Sequence, residues 1–406
     1  MITLWLVSEI RIHSYNFSDL IQRNVNVFLL GSERVLAKIP PEFSLTQPAI
    51  IVNETKYANT EFIIPDFSDI EIKIKEFIEA NSYQTSDIQI YCDEELFLDF
   101  VAKINQNLGL HGLNCHEMAK FRDKYVMKSA LNAVQNFKVP EFMLYGVNDE
   151  NLFFPSVIKP RALAGSLDTH YFPDKESYAK HIAEQPLSAH MMVEEYITGP
   201  LYHCDCLVQN GKVIFYAASK YLAPVMDAAR TKTCLGSEVL AIDALEYANL
   251  FEATLEAINH LGMQGYMTHS EFILKDNIPY FVETAIRPAG AWINTLYEKY
   301  FHFNIFNNHL YACLNIPNDI ARARFKYGLG LNPIVQNSGF IERIYIPTFH
   351  SASYSDIKYE YIGKAKTKTN SFADGIGEIV LYTDELDKFA QDKVTIANTD
   401  FILSIA

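Results

Sequence analysis

The sequence predicts an α/β protein of two or three domains, with a mostly parallel N-terminal sheet followed by a strand-rich remainder. Two observations indicate this class. Over residues 1–112, short apolar runs that suit buried strands alternate with amphipathic segments that suit helices. The chain also has 406 residues, which is more than one ordinary hydrophobic core accommodates.

The N-terminal region, residues 1–112, is expected to form an α/β domain. Its strand-like runs are ITLWLV, NVNVFLL, AIIV and DIQIYC. Its helical segments, IEIKIKEFIEAN and EELFLDFVAKINQNLGL, repeat apolar residues every three or four positions, and Gly109 is expected to end the second. After the first strand the chain reads VSEIRIHSY, so the glycine fingerprint of dinucleotide-binding enzymes is missing.

Two further domains are expected after residue 112. For residues 113–188 we predict a helix in RDKYVMKSALNAVQNF, a strand in FPSVIKP, a loop of small residues in ALAGSLDT and a helix in DKESYAKHIAEQ. Residues 189–406 are strand-rich, with a long helix in LEYANLFEATLEAINHLGM. The tail adds the strands GFIERIYIP and GEIVLY and a short helix.

Composition and charge exclude several classes of function. Apolar residues make up 49% of the chain and charged residues 20%, which is typical of a soluble globular protein. The net charge of −15 argues against a nucleic-acid or acidic-membrane binder, because phosphate backbones need a basic surface. We find no membrane-length apolar run, no secretory signal and no CxxC pair among the six cysteines, so we expect a cytoplasmic protein with reduced thiols.

Two lysines are candidate phosphate ligands. Lys159 ends a strand-like run and precedes a loop of small residues that contains Ser166. Small residues let main-chain N–H groups approach an anion, and the lysine adds a positive charge. Lys124 stands at the start of a predicted helix. Taken alone, each lysine also fits a solvated surface position, with Lys124 paired to Asp123 or a nearby acid.

The segment MMVEEYITG is a candidate adenine-binding hinge. It runs from a strand-like stretch into Gly199. An extended backbone can offer one C=O and one N–H to the base, while apolar side chains cover the ring. The candidate contacts are Glu194, Glu195, Tyr196 and Ile197. The alternative is a strand end that carries two solvated acids.

Two carboxylates lie in neighbouring strand-like runs. The turn residues Asp276 and Asn277 separate Glu271 from Glu283, and in an antiparallel hairpin the two glutamates can face each other. Buried like charges repel, so the pair predicts a cation between them, and hard oxygen ligands suit Mg²⁺ or Mn²⁺. Arg287 follows and suits a phosphoryl or carboxylate oxygen. The alternative is a structural Glu–Arg pair.

Five segments resemble, in the same order along the chain, the motifs of the ATP-grasp superfamily: RDKYVMKSAL, VIKPRALAGS, VEEYITGPLYHCDCLVQNGKV, HSEFIL and VETAIRPAGAW. With the N-terminal α/β region, the resemblance covers nearly the whole chain. The last segment is most similar to the ATP-dependent carboxylate–amine ligases, in particular bacterial L-amino acid ligases. The implied fold is a Rossmann-like parallel sheet domain (1–112) followed by two α+β subdomains (113–188 and 189–406) that clasp ATP.

The resemblance implies a role for each candidate in nucleotide and metal binding. Lys124 and Lys159 would contact the phosphates of ATP, and Ser166 would lie in a loop over the β- and γ-phosphates. The four hinge residues 194–197 would hold the adenine. Glu271 and Glu283 would bind Mg²⁺ or Mn²⁺.

The segment after the second glutamate would serve the chemistry and the acceptor. Arg287 would stabilise the acyl-phosphate and the tetrahedral intermediate. Gly290, Ala291 and Trp292 would border the acceptor pocket, although a buried structural tryptophan is an alternative.

Two positions depart from the family pattern. Many relatives carry an asparagine as a third metal ligand two residues after the second glutamate, where this chain has Ala285. Either water and phosphate complete the coordination, or a second metal is held less tightly. The ribose is often held by an acid after the hinge glycine. Here His203 is the substitute and Asp205 the second option, and His203 as an ordinary strand histidine is the alternative.

The resemblance thus implies an ATP-dependent ligase that forms an amide or peptide bond through an acyl-phosphate. The expected partners are small molecules, namely a carboxylate donor and an amine acceptor, with no nucleic acid and no membrane. A homodimer is left open, because dimers are common among relatives. The alternatives are another ATP-grasp ligase or carboxylase-type enzyme, and a non-catalytic ATP-binding regulator. Substrate-dependent ADP release would separate the enzymes from the regulator.

Overall fold

The computed structural model describes residues 1–57, 62–147, 151–163, 165, 167–188, 190–223, 234–335, 338–366 and 375–405. These form two compact units, one of residues 1–121 with 304–318 and the other of residues 122–303 with 319–406. The division into three domains with boundaries at 112/113 and 188/189 stays a prediction.

The described helices and strands follow in chain order. The helices are α1 (Phe17–Gln22), α2 (Glu33–Leu36), α3 (Pro41–Ser44), α4 (Phe67–Asn81), α5 (Leu98–Leu108), α6 (Cys115–Arg122), α7 (Lys124–Ala130), α8 (Lys175–Glu184), α9 (Leu245–Leu261), α10 (Trp292–Phe301), α11 (Ile305–Cys313) and α12 (Leu386–Ala397). The strands are β1 (Ile2–Leu6), β2 (Phe28–Gly31), β3 (Ala49–Ile51), β4 (Glu54–Lys56), β5 (Ile63–Pro65), β6 (Ile88–Tyr91), β7 (Phe142–Leu144), β8 (Ser156–Pro160), β9 (His170–Phe172), β10 (Met191–Glu195), β11 (Leu201–Gln209), β12 (Lys212–Tyr221), β13 (Leu235–Val239), β14 (Met267–Lys275), β15 (Ile278–Ala285), β16 (Tyr327–Asn332), β17 (Gly339–Ile344), β18 (Ala352–Ile357), β19 (Ala365–Lys366), β20 (Gly377–Thr383) and β21 (Ile402–Ile405).

The first unit contains the predicted parallel sheet, with strand order β3–β2–β1–β6. The apolar run of β1 is buried on both faces, as parallel strands covered by helices require. Helix α4 buries Ile70 and Ile74, which lie four residues apart on one face. Helix α5 ends at Gly109, whose φ of +66° suits glycine. The predicted α/β character of this region is confirmed.

A buried carboxylate, Asp93, follows β6 in the first unit. It accepts a hydrogen bond of 2.5 Å from the Tyr15 hydroxyl, which also lies 2.9 Å from the Tyr91 hydroxyl. Burial raises the pKa of Asp93 to about 6, because the ionised form loses its hydration.

We expect Asp93 to make the protein less stable as pH rises from about 4 to about 6. Its folded pKa lies above the ordinary value of 3.8, so the folded state binds more protons in this window and ionisation costs roughly 3 kcal/mol. Urea unfolding at several pH values measures the effect. Asp93→Asn should flatten this part of the profile, and Asp87→Asn, at an exposed position, should not. An unchanged slope in Asp93→Asn would contradict the assignment.

The second unit contains two antiparallel sheets that carry most candidate site residues. The smaller sheet has the order β7–β10–β8–β9, and Lys159 lies on β8 and Glu194 on β10. The larger sheet has the order β15–β14–β11–β12–β13–β16–β20–β18, and Glu271 lies on β14 and Glu283 on β15. Strands β19, β17 and β21 form a third sheet.

Most predicted elements of the second unit are present, and one helix is shorter than predicted. Helix α7 begins after Asp123, whose side chain accepts hydrogen bonds from two main-chain N–H groups, and ends at Ala130 rather than near residue 137. Beyond it, Lys138 donates its N–H to the carbonyl of Pro279 and accepts from the N–H of Phe281. Tertiary pairing with β15 therefore replaces the predicted last turns of the helix.

Within the ranges described, no helix combines the length and the apolar character needed to cross a membrane.

Candidate functional site

Strands β14 and β15 form the predicted hairpin. Asp276 and Asn277 adopt φ values of +52° and +62°, which asparagine and aspartate tolerate in a tight hairpin turn. The register places Glu271 directly opposite Glu283. Burial, together with the charge of Glu283, raises the pKa of Glu271. Two facing carboxylates whose ionised forms are disfavoured by burial and mutual repulsion are suited to hold a divalent cation between them.

Lys124 points at this carboxylate pair. Its Nζ lies 2.9 Å from Oε2 of Glu283 and donates a hydrogen bond of 2.5 Å to the carbonyl of Leu163. The residue is buried, so the alternative of a solvated lysine paired with Asp123 is wrong. Asp123 instead pairs with Arg161.

Lys159 lies beside a second buried lysine. Its Nζ is 2.9 Å from Oε2 of Glu194, and Nζ of Lys128 is 3.4 Å from Oε1 of the same carboxylate. Lys128 also donates a hydrogen bond of 2.7 Å to the carbonyl of Phe281. Burial lowers the pKa of Lys128 to about 8, whereas Glu194 outweighs burial and raises the pKa of Lys159. Two lysines around one carboxylate leave a net positive charge that suits an anion.

The sequence prediction missed Lys128. It lies four residues after Lys124 on α7, a spacing that brings two side chains to one helix face. That spacing was the available sequence indication, and the buried contact with Glu194 on β10 became visible only in the structure.

A cavity of about 130 Å³ brings eight predicted residues together: Lys124, Lys159, Glu194, Glu195, Tyr196, Ile197, Glu271 and Glu283. Apolar side chains complete the walls, among them Val157, Leu201, Ile273 and Val282. A lining that contains both charged and apolar groups suits a ligand with an anionic and a flat apolar portion.

The hinge segment presents main-chain groups to this cavity. The N–H of Glu195 donates to the carbonyl of Glu141 at 2.8 Å, and the N–H of Tyr196 donates to that of Pro155 at 3.1 Å. For the buried N–H of Ile197, no acceptor is found among the residues that the structure describes. Since buried main-chain donors are normally paired, this N–H is a candidate donor to a ligand.

His203, by contrast, does not line the cavity. It is fully buried, with Nδ1 2.7 Å from Oδ2 of Asp205 and Nε2 2.8 Å from Oγ of Ser237. Burial lowers its pKa. Both ring nitrogens are therefore engaged inside the protein, and the structure does not support the predicted ribose contact. Ser166, the predicted loop residue, lies outside the described residues.

Asp205 is the centre of a buried hydrogen-bond network. Besides His203, it lies 2.8 Å from Nδ1 of His269 and accepts a bond of 2.6 Å from the Tyr297 hydroxyl. Although burial acts to raise it, His269 and His203 hold the pKa of Asp205 well below its usual range. Asp205 in turn outweighs burial and raises the pKa of His269.

Two neighbours of Glu271 were missed from the sequence. Nε2 of His269 lies 3.9 Å from Oε1 of Glu271, and the Tyr221 hydroxyl donates to the same oxygen at 2.9 Å. His269 was detectable in principle, because residues two apart on a strand share a face. Tyr221 was not, because β12 reaches β14 only across β11 in the sheet.

The predicted residues after Glu283 lie outside the lining of this cavity. Arg287 donates from Nη1 to the carbonyl of Pro288 at 3.0 Å, and its positive charge partly opposes the rise in the pKa of His269 that Asp205 causes. Gly290 is half-buried and Ala291 is exposed, with a φ of +54°. Trp292 is fully buried, and its Nε1 donates to Oγ of Ser237 at 3.0 Å. None of the four is among the residues that line the described cavity.

We expect Trp292 to contribute mainly to stability. Trp292→Phe removes the bond to Ser237 and leaves a small cavity, so the free energy of unfolding should fall by about 1–3 kcal/mol. Gly330→Ala should destabilise from the other side of the contact, because a Cβ there would lie 2.1 Å from Cδ1 of Trp292. Urea unfolding measures both. The control is Leu245→Ala, at an exposed position. An unfolding midpoint unchanged in Trp292→Phe would contradict this role.

Residues 121–291 match the family model described as the ATP-grasp domain. The L-arginine-specific L-amino acid ligase of Bacillus subtilis is 23% identical over 276 residues, which cover 63% of this chain and 64% of that protein. The alanine–anticapsin ligase of Bacillus subtilis (strain 168) is 25% identical over 248 residues, which cover 54% of this chain and 51% of that protein. The matches thus span less than two thirds of either relative's length.

Solved structures share the fold over the whole chain. The L-amino acid ligase from Bacillus licheniformis has a TM-score of 0.71 at 17% identity, covering 100% of this chain and 98% of that one. Phosphoribosylglycinamide synthetase from Anaerococcus prevotii gives 0.62 at 17% identity, with 100% and 98% covered. The biotin carboxylase domain of Hydrogenobacter thermophilus 2-oxoglutarate carboxylase, solved with MgADP, ADP and bicarbonate, gives 0.65 at 12% identity, with 100% and 91% covered. The predicted fold is confirmed.

Proposed function

We propose that this member of the ATP-grasp superfamily is an ATP-dependent carboxylate–amine ligase. It would join an amino acid or small carboxylic acid to an amino acid or amine and release ADP and phosphate. One observation carries the proposal: a single cavity is lined by Lys124, Lys159, a hinge segment and two facing glutamates. The names of the similar Bacillus subtilis proteins, both amino acid ligases, support the same reaction class.

ATP would lie in this cavity with its phosphates at the two lysines. Lys124 and Lys159 are buried and already held by carboxylates, so they are preorganised for an anion. Adenine would lie against residues 194–197, with the N–H of Ile197 as donor to a ring nitrogen and apolar side chains over the ring. Ser166 stays a proposed phosphate contact on the resemblance alone.

Glu271 and Glu283 fit a divalent cation, Mg²⁺ or Mn²⁺. They face each other across two strands, and the charge of Glu283 helps raise the pKa of Glu271, a cost that a cation would remove. When bound, the metal would neutralise phosphate charge on ATP. The related carboxylase domain solved with MgADP supports this assignment.

The proposed reaction has two steps. A carboxylate oxygen of the donor bonds to the γ-phosphorus of ATP, and the bond from that phosphorus to ADP breaks. The amine nitrogen then attacks the acyl carbon, phosphate leaves with the bonding electrons, and the amine loses a proton to solvent. Lys124 and Lys159 would hold the phosphates in line for the first step, and Arg287 would stabilise the charge of the tetrahedral intermediate.

Release of ADP and phosphate, measured over a pairwise panel of amino acids and small carboxylic acids, tests the proposal. We expect release to need one particular pair and mass spectrometry to show a product lighter than the two substrates by one water. Tight ATP binding without release from any pair would favour the regulator instead. Release from ATP with a single carboxylate and bicarbonate would favour a carboxylase-type enzyme.

The substrates of the relatives do not fix those of this chain. One relative is named for arginine and the other for alanine and anticapsin, so similar sequences serve different donors and acceptors. We propose small-molecule substrates of the same chemical class and, because ATP is consumed, a cytoplasmic reaction. Gly290, Ala291 and Trp292 stay proposed neighbours of the acceptor, with Trp292 acting through the packing of that segment.

A further inference from the structure

We propose that His269 supplies a nitrogen ligand to the metal ion held by Glu271 and Glu283, so that the site favours Mn²⁺ over Mg²⁺ more than two carboxylates alone would. The inference rests on the metal site of the proposed function and deepens it.

The sheet register places His269 on the metal-binding face. His269 pairs with Ala285 across β14 and β15, and Glu271 pairs with Glu283 two residues nearer the hairpin turn. Residues two apart on a strand project from the same face, so the four side chains form a square on one surface of the hairpin. Alanine has no ligand atom. Of the pair His269 and Ala285, the imidazole is therefore the group that can reach an ion bound by the two glutamates.

The distance from the imidazole to the nearer carboxylate fits a shared ion. Nε2 of His269 lies 3.9 Å from Oε1 of Glu271. Two ligand atoms that each lie about 2.1 Å from one ion are separated by at most roughly 4.2 Å. The observed separation is within that limit, so both atoms can bind one ion with little movement of either side chain.

Asp205 orients the imidazole for this role. Its Oδ1 lies 2.8 Å from Nδ1 of His269, so Nδ1 is the donor. In the neutral imidazole this leaves a lone pair on Nε2, which lies 3.9 Å from Oε1 of Glu271. Its Oδ2 is held by the Tyr297 hydroxyl at 2.6 Å and by His203 at 2.7 Å. A carboxylate that fixes the tautomer and ring orientation of a histidine is the usual support of a metal-binding imidazole.

The histidines and Asp205 do not form a separate ion site of their own. Their ligand atoms lie within 4.8 Å of one another, but both nitrogens of His203 and both oxygens of Asp205 are engaged in hydrogen bonds. An ion placed there would break several buried bonds. The network instead leaves Nε2 of His269 as the ring nitrogen near Glu271.

A nitrogen ligand would increase the preference of the site for Mn²⁺ over Mg²⁺. Mg²⁺ is bound mainly through oxygen, whereas imidazole suits first-row transition metals. We therefore expect His269→Ala to weaken Mn²⁺ binding about tenfold or more and Mg²⁺ binding much less. Isothermal titration of each metal, in the presence of a non-hydrolysable ATP analogue with a methylene β,γ-bridge, measures the two losses.

Pulsed electron paramagnetic resonance of bound Mn²⁺ tests the coordination directly. The protein is labelled with ¹⁵N-histidine and loaded with Mn²⁺ and the same analogue. We expect a ¹⁵N coupling in the wild type that is lost in His269→Ala and His269→Gln. His260→Ala, which changes an exposed histidine on α9, should keep it. Asp205→Asn should keep a coupling but weaken Mn²⁺ binding about tenfold, because orientation of the ring is loosened.

Two contrary outcomes are distinguishable. If wild-type protein binds Mn²⁺ with the analogue but shows no histidine ¹⁵N coupling, the His269 proposal is overturned and the proposed function stands. If wild type and Glu283→Ala bind Mn²⁺ and the analogue equally weakly, both proposals fail. The wild-type spectrum decides the first question even where a variant does not fold.

Discussion

Replacing Glu283 by glutamine is expected to reduce substrate-dependent ADP release by about a hundredfold or more while the protein stays folded. Glutamine keeps the shape of the side chain and removes the charge that faces Glu271 and pairs with Lys124. Without that charge, the divalent cation would lose one of its two carboxylates and Lys124 its partner. The measurement is steady-state ADP formation at saturating ATP, with the productive substrate pair.

In this variant we expect activity to be lost while the protein remains folded. Glu283→Gln removes the repulsion that helps raise the pKa of Glu271, but it also leaves the buried Lys124 without this carboxylate. The two effects act in opposite directions, so the midpoint of thermal unfolding should change little. Glu252→Gln, the same substitution at an exposed position of α9, is the control and should leave ADP release at the wild-type rate. Full activity in Glu283→Gln would overturn the metal assignment of this residue.

Replacing Lys159 by methionine is expected to weaken binding of a non-hydrolysable ATP analogue about a hundredfold. Methionine fills a similar volume, so the loss reports the charge. Lys159 is buried and held 2.9 Å from Glu194, so its removal also leaves that carboxylate with Lys128 alone as a cation. Titration calorimetry in the presence of Mg²⁺ gives the dissociation constant.

Two other lysine variants show whether the loss of affinity is specific to the cavity. Lys175→Met, at an exposed position of α8, should bind the analogue as the wild type does. Lys124→Met should weaken binding as well, because Lys124 lines the same cavity. Wild-type affinity in Lys159→Met together with a loss in Lys124→Met would restrict the phosphate site to Lys124.

The hairpin that carries the two glutamates was predictable because its determinants are local. The turn residues Asp276 and Asn277 suit positive φ values, and the apolar runs on either side fix two strands of matching length. Once the turn is fixed, the strand period of two determines which residues face each other. Counted from this turn alone, however, Glu271 would face Val282. A register shift between Phe272 and Glu271 brings Glu271 opposite Glu283, so that opposition was decided by the structure.

The burial of the lysines was not predictable in the same way. From the sequence, a lysine in a helix is expected at the surface. Lys124 and Lys128 are instead buried, because α7 packs against strands whose glutamates form ion pairs with them. Similarly, the helix predicted to continue past Ala130 stops there because Lys138 pairs with the main chain of β15. Both outcomes depend on partners that are distant in the sequence, such as Glu194 for Lys128, Glu283 for Lys124 and Pro279 for Lys138.

The sequence by itself determined the order of elements, the glutamate hairpin and the set of motifs that line the cavity, because periodicity and turn residues act over a few residues. Only the tertiary structure decided that His203 is a buried member of the Asp205 network and that His269 and Tyr221 face Glu271. These contacts arise from the neighbour order β14–β11–β12, and long-range strand pairing is set by the packing of the whole sheet.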